Sequence, residues 1–98
     1  MHISDLDTPV AIVDLDRLES NITRLQSYLD LHGIAIPPHI KTHKIPTIAQ
    51  MELKAGALGV TCQKIGEAQA MADAGIRDIF LPYKIVGATK LQRLMQLA

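Results

Sequence analysis

Two histidines and two lysines fall within six residues in the run Pro38-His39-Ile40-Lys41-Thr42-His43-Lys44. Lysine is the side chain whose amine condenses with carbonyl groups, and it does so when its nitrogen is uncharged. Burial, or a neighbouring cation, disfavours the charged form of a lysine and makes it the better nucleophile. His39 and Lys41 lie two positions apart, so on a strand they share one face. If that face looks into a barrel interior, Lys41 is the amine that loses solvent. Lys44 has the opposite parity and is placed past the strand end. Lys41 is therefore the candidate for attachment of a carbonyl cofactor, against the plain reading of a basic loop that closes a strand.

The remaining candidates carry two readings each. His39 and His43 either tune a bound cofactor or contact substrate, or they serve as ordinary loop histidines. Thr42 either hydrogen-bonds beside the cofactor or caps the loop. Cys62 lies in an apolar run and reads as a small core residue. The four methionines read as core filler. Glu67 falls in the first turn of a predicted helix, where a carboxylate meets the helix dipole, ahead of a role as acid catalyst. Tyr83 ends a strand and either lines the mouth of a site or packs. Asp5 and Asp7, before Thr8-Pro9, shape an entry turn. No G-x-G-x-x-G or Walker phosphate loop occurs, which weighs against a module that binds a phosphorylated metabolite through such a loop.

The elements that must hold these residues form a β/α series. Gly33, Gly56 and Gly75 each follow a helical pattern and precede a short apolar run. Glycine suits the left-handed position where a helix gives way to the next strand. Leu18, Ile22, Leu25 and Leu29 recur at helical spacing, which predicts an amphipathic helix over about 16–31 that starts from an Asp16–Glu19 capping pattern. Pro46 opens a helix running to Ala55. Ile65, Ala68 and Ala72 mark a third helix, and Leu91, Leu94, Met95 and Ala98 a fourth. Strands are predicted at 10–13, 34–40, 58–62 and 79–83. Strands alternating with helices imply a parallel sheet with right-handed crossovers. Periodicity leaves open whether the sheet closes into a barrel. In both cases chemistry belongs at the C-terminal strand ends, where the 39–44 run, Thr61 to Lys64, and Tyr83 with Lys84 are found.

Composition narrows the function classes. The chain has 98 residues, 48% hydrophobic and 20% charged, with ten basic and ten acidic side chains. Such a chain folds rather than staying disordered, and its zero net charge offers no field for nucleic acid or an anionic membrane. Aromatic residues make up 3%, too few for base-stacking platforms. No apolar run approaches the roughly 18 residues of a membrane span, and the acidic N-terminus lacks the basic region of a signal peptide. One cysteine forms no intrachain disulfide. A cytoplasmic protein without nucleic-acid or membrane partners is expected.

The order Asp7-Thr8-Pro9, Val10-Ala11-Ile12-Val13-Asp14, Asn21 and then Pro38-His39-Ile40-Lys41-Thr42-His43-Lys44 resembles the start of the D-threonine aldolase and D-serine dehydratase family. Gly59-Val60-Thr61-Cys62, Gly66-Glu67-Ala68, Ala72-Asp73-Ala74-Gly75-Ile76 and Asp78-Ile79-Phe80-Leu81-Pro82-Tyr83 continue the match in order. The resemblance covers almost the whole chain, and the Pro-His-x-Lys-Thr-His-Lys element is its most specific part. It implies an alanine-racemase-like N-terminal domain, a TIM-type (β/α)8 barrel that holds pyridoxal 5'-phosphate (PLP), of which residues 1–98 are about the first three β/α units. The lysine after Pro-His-x is the family's aldimine lysine, here Lys41, with His39, Thr42 and His43 beside the cofactor.

The activity implied is that of a PLP-dependent lyase on D-amino acids, either an aldolase of 3-hydroxy-D-amino acids or a D-serine-type dehydratase. Such enzymes also imply a divalent metal, Mn or Zn, with ligands outside this chain, and a homodimer at full length. A non-catalytic PLP-binding homeostasis protein is the alternative on the same fold. The final helix runs to Ala98 without a C-cap glycine, so the chain is read as an N-terminal portion lacking the rest of the barrel and a C-terminal β domain. Alone, it is expected neither to hold PLP tightly nor to turn over substrate.

Overall fold

A computed structural model describes all 98 residues. Four helices punctuate the chain: α1 (Leu15–Leu31), α2 (Pro46–Ala55), α3 (Ile65–Asp73) and α4 (Ala88–Leu97). Between them lie two short strands, β1 (Val60–Thr61) and β2 (Ile79–Phe80), and two single 3-10 turns at Ile3–Asp5 and Ile40–Thr42.

The helix ends follow local chemistry. The Asp14 carboxylate accepts the Arg17 N–H at 3.0 Å and caps α1. The cap is thus Asp14, not the expected Asp16. A side chain at the N-cap reaches the third N–H of a helix, and Asp16 already lies inside the first turn. At the other end, Gly33 takes φ 64°. Its N–H reaches Asp30 O (3.2 Å), and that of Ile34 reaches Leu29 O (2.9 Å). This paired closure satisfies two carbonyls that a helix end otherwise leaves bare. Gly75, at φ 88°, closes α3 in the same way, with Ile76 N–H on Met71 O at 3.1 Å. Pro46 occupies the first position of α2, where its missing N–H costs nothing.

The sheet is parallel. β1 pairs with β2 in the register Val60 to Ile79 and Thr61 to Phe80. On its other side β1 meets residues 36–39: Leu58 N–H donates to Ile36 O (3.2 Å) and Thr61 N–H to Pro38 O (2.8 Å), while His39 bridges to Thr61. The predicted strand 34–40 therefore reduces to a bridge. Pro37 and Pro38 have no N–H, so this stretch accepts hydrogen bonds from β1 but donates none at two consecutive positions. Pro82 truncates the predicted strand 79–83 in the same manner. Residues 10–13 make no backbone hydrogen bond, and Val10, Ile12 and Val13 are exposed. The expected first strand is absent: these residues join no ladder, and the sheet consists of β1 and β2.

A core of Ile40, Ala49, Val60, Cys62, Ala68, Met71 and Ile76 fills the space between the strands and helices α2 and α3. Of the four methionines, Met71 alone is buried; Met1 and Met95 are exposed. α4 packs through Leu94 and Leu97, not Met95. Each helix touches the next, α1 to α2, α2 to α3 and α3 to α4, so the helices form one row alongside one row of strands. That is the wall of a singly wound barrel; an open doubly wound sheet places helices on both faces.

Candidate functional site

The turn that carries Lys41 begins where the segment 36–39 runs out of ladder. Ile40, fully buried, pins its start, and His43 and Lys44 close it, with Lys44 N–H donating to Ile40 O at 2.7 Å. Lys41 lies inside this 3-10 turn, so strand parity does not set its direction, and it is exposed while His39 is half-buried. The expected desolvation fails for a geometric reason: three parallel segments make a wall, and a wall has no enclosed interior.

Both histidines of the run shape the turn. The Lys41 N–H donates to His39 Nδ1 (3.2 Å) and the Ile45 N–H to His43 Nδ1 (2.9 Å). Each imidazole thereby caps the backbone two residues on, and accepting at Nδ1 leaves the proton on Nε2. His43 Nε2 is buried without a partner, and burial holds the His43 pKa below its ordinary value. Thr42 is exposed and makes no side-chain hydrogen bond.

Lys44 behaves differently from Lys41. Its backbone takes φ 56°, the one left-handed non-glycine residue in the chain. Its Nζ lies 3.3 Å from Oε1 of Glu67. Glu67 is 7% exposed, and its Oε2 accepts the Gln63 N–H at 2.7 Å. The carboxylate therefore sits at the start of α3, as its first-turn position suggests, ties down the backbone just before the helix, and also anchors a lysine from the preceding β/α connection. Burial alone raises the Glu67 pKa, but the Gln63 N–H and the Lys44 ammonium outweigh it, and the net shift is downward. Cys62 belongs to the core; burial, with the Glu67 charge adding to it, pushes its thiol up to about 11.

A cleft of about 570 Å³ opens between the starts of α3 and α4. Lys44, Lys64, Lys84, Lys90 and Arg93 line it, together with Tyr83 and Glu67. Glu67 is the one acid there and is already paired with Lys44. The cleft suits an anionic group such as a phosphate or carboxylate. Lys64, Tyr83 and Lys84 were expected at strand ends; Lys90 and Arg93 were not singled out, although their spacing of three puts them on one face of α4. Lys41, His39, Thr42 and His43 do not line this cleft; Lys44, three residues after Lys41, connects the two places. No three His, Cys, Asp or Glu side chains converge as a metal site would require.

Against known proteins, the family model described as "Alanine racemase, N-terminal domain" matches residues 13–98. A D-threonine aldolase of Arthrobacter sp is 43% identical over 96 residues, covering 98% of this chain and 25% of the relative. A D-threo-3-hydroxyaspartate dehydratase of Delftia sp. (strain HT23) is 39% identical over 93 residues, covering 90% and 24%. In three dimensions the chain superposes on the crystal structure of D-threonine aldolase from Filomicrobium marinum with a TM-score of 0.93 at 43% identity, covering 98% of this chain and 26% of that one. The chain spans about a quarter of the length of the curated relatives it matches.

Proposed function

The chain belongs to the family of the alanine racemase N-terminal domain, a TIM-type PLP-binding barrel, and from that premise we propose that it supplies the cofactor-attachment quarter of a PLP-dependent lyase acting on D-amino acids. Lys41 takes the cofactor's aldehyde. The observation that carries this choice is the commitment of the neighbouring amine: Lys44 is paired with Glu67, whereas Lys41 has no ionic partner and stands free on the turn after a core segment. The donor set suits the cofactor's two functional groups, with an uncommitted primary amine for its aldehyde and, reached through Lys44, a cationic cleft for an anion.

When bound, PLP supplies an electron-withdrawing pyridinium ring that weakens the bonds at the substrate's Cα. The protein's own residues then hold and orient. Ile40 and the Lys44–Glu67 pair fix the two ends of the Lys41 turn; His39 accepts the Lys41 N–H within it, and His43 accepts the Ile45 N–H just past it. The cleft's lysines and Arg93 offer charge to a carboxylate or phosphate. Both aldolase and dehydratase chemistry fit this arrangement, because the residues that choose between breaking Cα–Cβ and losing a β-hydroxyl are not among these. In this reading a divalent metal, Mn or Zn, would be held by ligands outside the 98 residues and would supply Lewis-acid chemistry. The remaining barrel and a C-terminal β domain complete a cytoplasmic homodimer.

The test is borohydride trapping in excess pyridoxal phosphate, followed by peptide mapping. Lys41 is expected to take more label than Lys44, and Lys41→Ala to remove that share without transferring it. Labelling of Lys44 equal to or above that of Lys41 overturns the assignment.

A further inference from the structure

A non-glycine residue in the left-handed region is strained by its Cβ, so something must hold Lys44 at φ 56°. Two contacts do. Its N–H closes the turn on Ile40 O at 2.7 Å, and its Nζ reaches Glu67 Oε1 at 3.3 Å. Glu67 is in turn fixed by the next β/α connection, through the Gln63 N–H on Oε2. Its two oxygens are therefore divided, one to the backbone before α3 and one to the lysine of the preceding turn. Oε1 is out of solvent and makes no well-formed hydrogen bond, so Lys44 is the group that offsets its charge. A buried carboxylate deprived of such a partner is strongly destabilised.

We propose that Glu67 is a positioning residue that assigns the two lysines of the 41–44 run their separate roles. It draws the Lys44 side chain to the start of α3 and leaves Lys41 as the run's free amine on a turn fixed at both ends. This rests on reading Lys41 as the attachment lysine. Glu67 touches neither that amine nor the cofactor's aldehyde; it acts through Lys44.

Reductive labelling reads this directly. In the labelling step a lysine nitrogen bonds to the aldehyde carbon of pyridoxal phosphate and the carbonyl oxygen leaves as water. Borohydride then delivers hydride to the C=N carbon, and the nitrogen takes a proton, leaving a stable secondary amine. Exposed Lys54, in the last turn of α2, serves as the internal standard.

Glu67→Gln is expected to raise the Lys44-to-Lys54 labelling ratio about two- to fivefold, the size expected for losing an ion pair with one exposed partner. Lys41 labelling should fall as its turn loosens. Lys54 is already exposed and does not change on loosening, so parent and variant are compared at equal distance below their melting midpoints, where a rise in the ratio reads the lost pair and not general instability. Lys44→Arg, which keeps the pair, should leave Lys41 labelling at the parent level. If Glu67→Gln fails to give the parent circular dichroism spectrum, Glu67→Asp, one methylene shorter, carries the same comparison. An unchanged Lys44-to-Lys54 ratio in the folded variant overturns the proposal. Failure of the Lys41 reading shows up elsewhere, as a parent chain that labels Lys44 at least as much as Lys41.

Discussion

Glu67 and His43 respond to acid in the same direction for different reasons. The Glu67 pKa lies below its ordinary 4.5 because the Gln63 N–H and Lys44 favour the carboxylate more than burial opposes it. Its contribution to stability is complete above about pH 4.5 and lost as pH falls through the lower folded value. The His43 pKa lies below 6.5 because burial disfavours the imidazolium; its contribution is complete above that value and lost as pH falls through the folded one. Glu52, raised by burial, works the other way: it contributes below its ordinary value and loses that contribution as pH rises. Melting temperature is therefore expected to drop in two stages between pH 7 and pH 3. His43→Gln should remove the first stage and Glu67→Gln the second, and a variant curve parallel to the parent's throughout would refute the corresponding assignment. At this scale the sequence exposed the lysine run and its chemistry, but not the partner of Lys44. Nothing in the spacing of positions 44 and 67 says that two successive β/α connections meet there.

The helices were legible because their signals are local: a proline at the first position and a glycine past the end each act within one turn, although the cap of α1 fell at Asp14, two residues before the aspartate expected to serve. The strands were less so. A strand is completed by its neighbours, and Pro37-Pro38 and Pro82 withhold the donors that neighbours would use. Placing Lys41 by strand alternation failed for this reason, since the chain leaves the ladder at His39 and turns. Gly59 shows how closely the surviving strands approach. A Cβ there would stand 2.5 Å from Asp78 O and 2.9 Å from Asp78 Cβ, and the obstacle at 2.5 Å is backbone. Gly59→Ala is expected to push β1 and β2 apart and cost about 1–3 kcal/mol, as overpacking a tight site does. Urea denaturation should show the midpoint falling, and an unchanged midpoint would mean that the two strands can separate freely.

The molecule as a whole is a plate of 46 × 42 × 21 Å with a radius of gyration of 15.8 Å, against about 13 Å for a compact chain of this length. One layer of strands and one of helices account for that thickness. Val10, Ile12, Phe80 and Val86 face solvent, and no second layer covers the far side of the sheet. A cofactor attached at Lys41 would meet protein on few sides. The 98-residue chain is accordingly expected to release PLP during gel filtration unless the adduct is first reduced. Stoichiometric retention of the visible absorbance with the unreduced protein peak would show that the plate encloses more than its shape suggests. The α/β repeat was legible in the three glycine-to-strand transitions, whereas the arrangement of the helices in a single row was legible only through the family resemblance and its barrel, because periodicity gives an element's faces but not its neighbours.

That row, in which the main helix contacts run from each helix to the next, gives the chain the connectivity of a one-dimensional array. Cooperativity in such an array passes between nearest neighbours, so a defect introduced in α1 is felt by α2 and fades before α4. The two ends are expected to open independently of each other, leaving the middle, around β1 and α3, where Glu67 joins one unit to the next, as the slowest region to exchange its amide hydrogens.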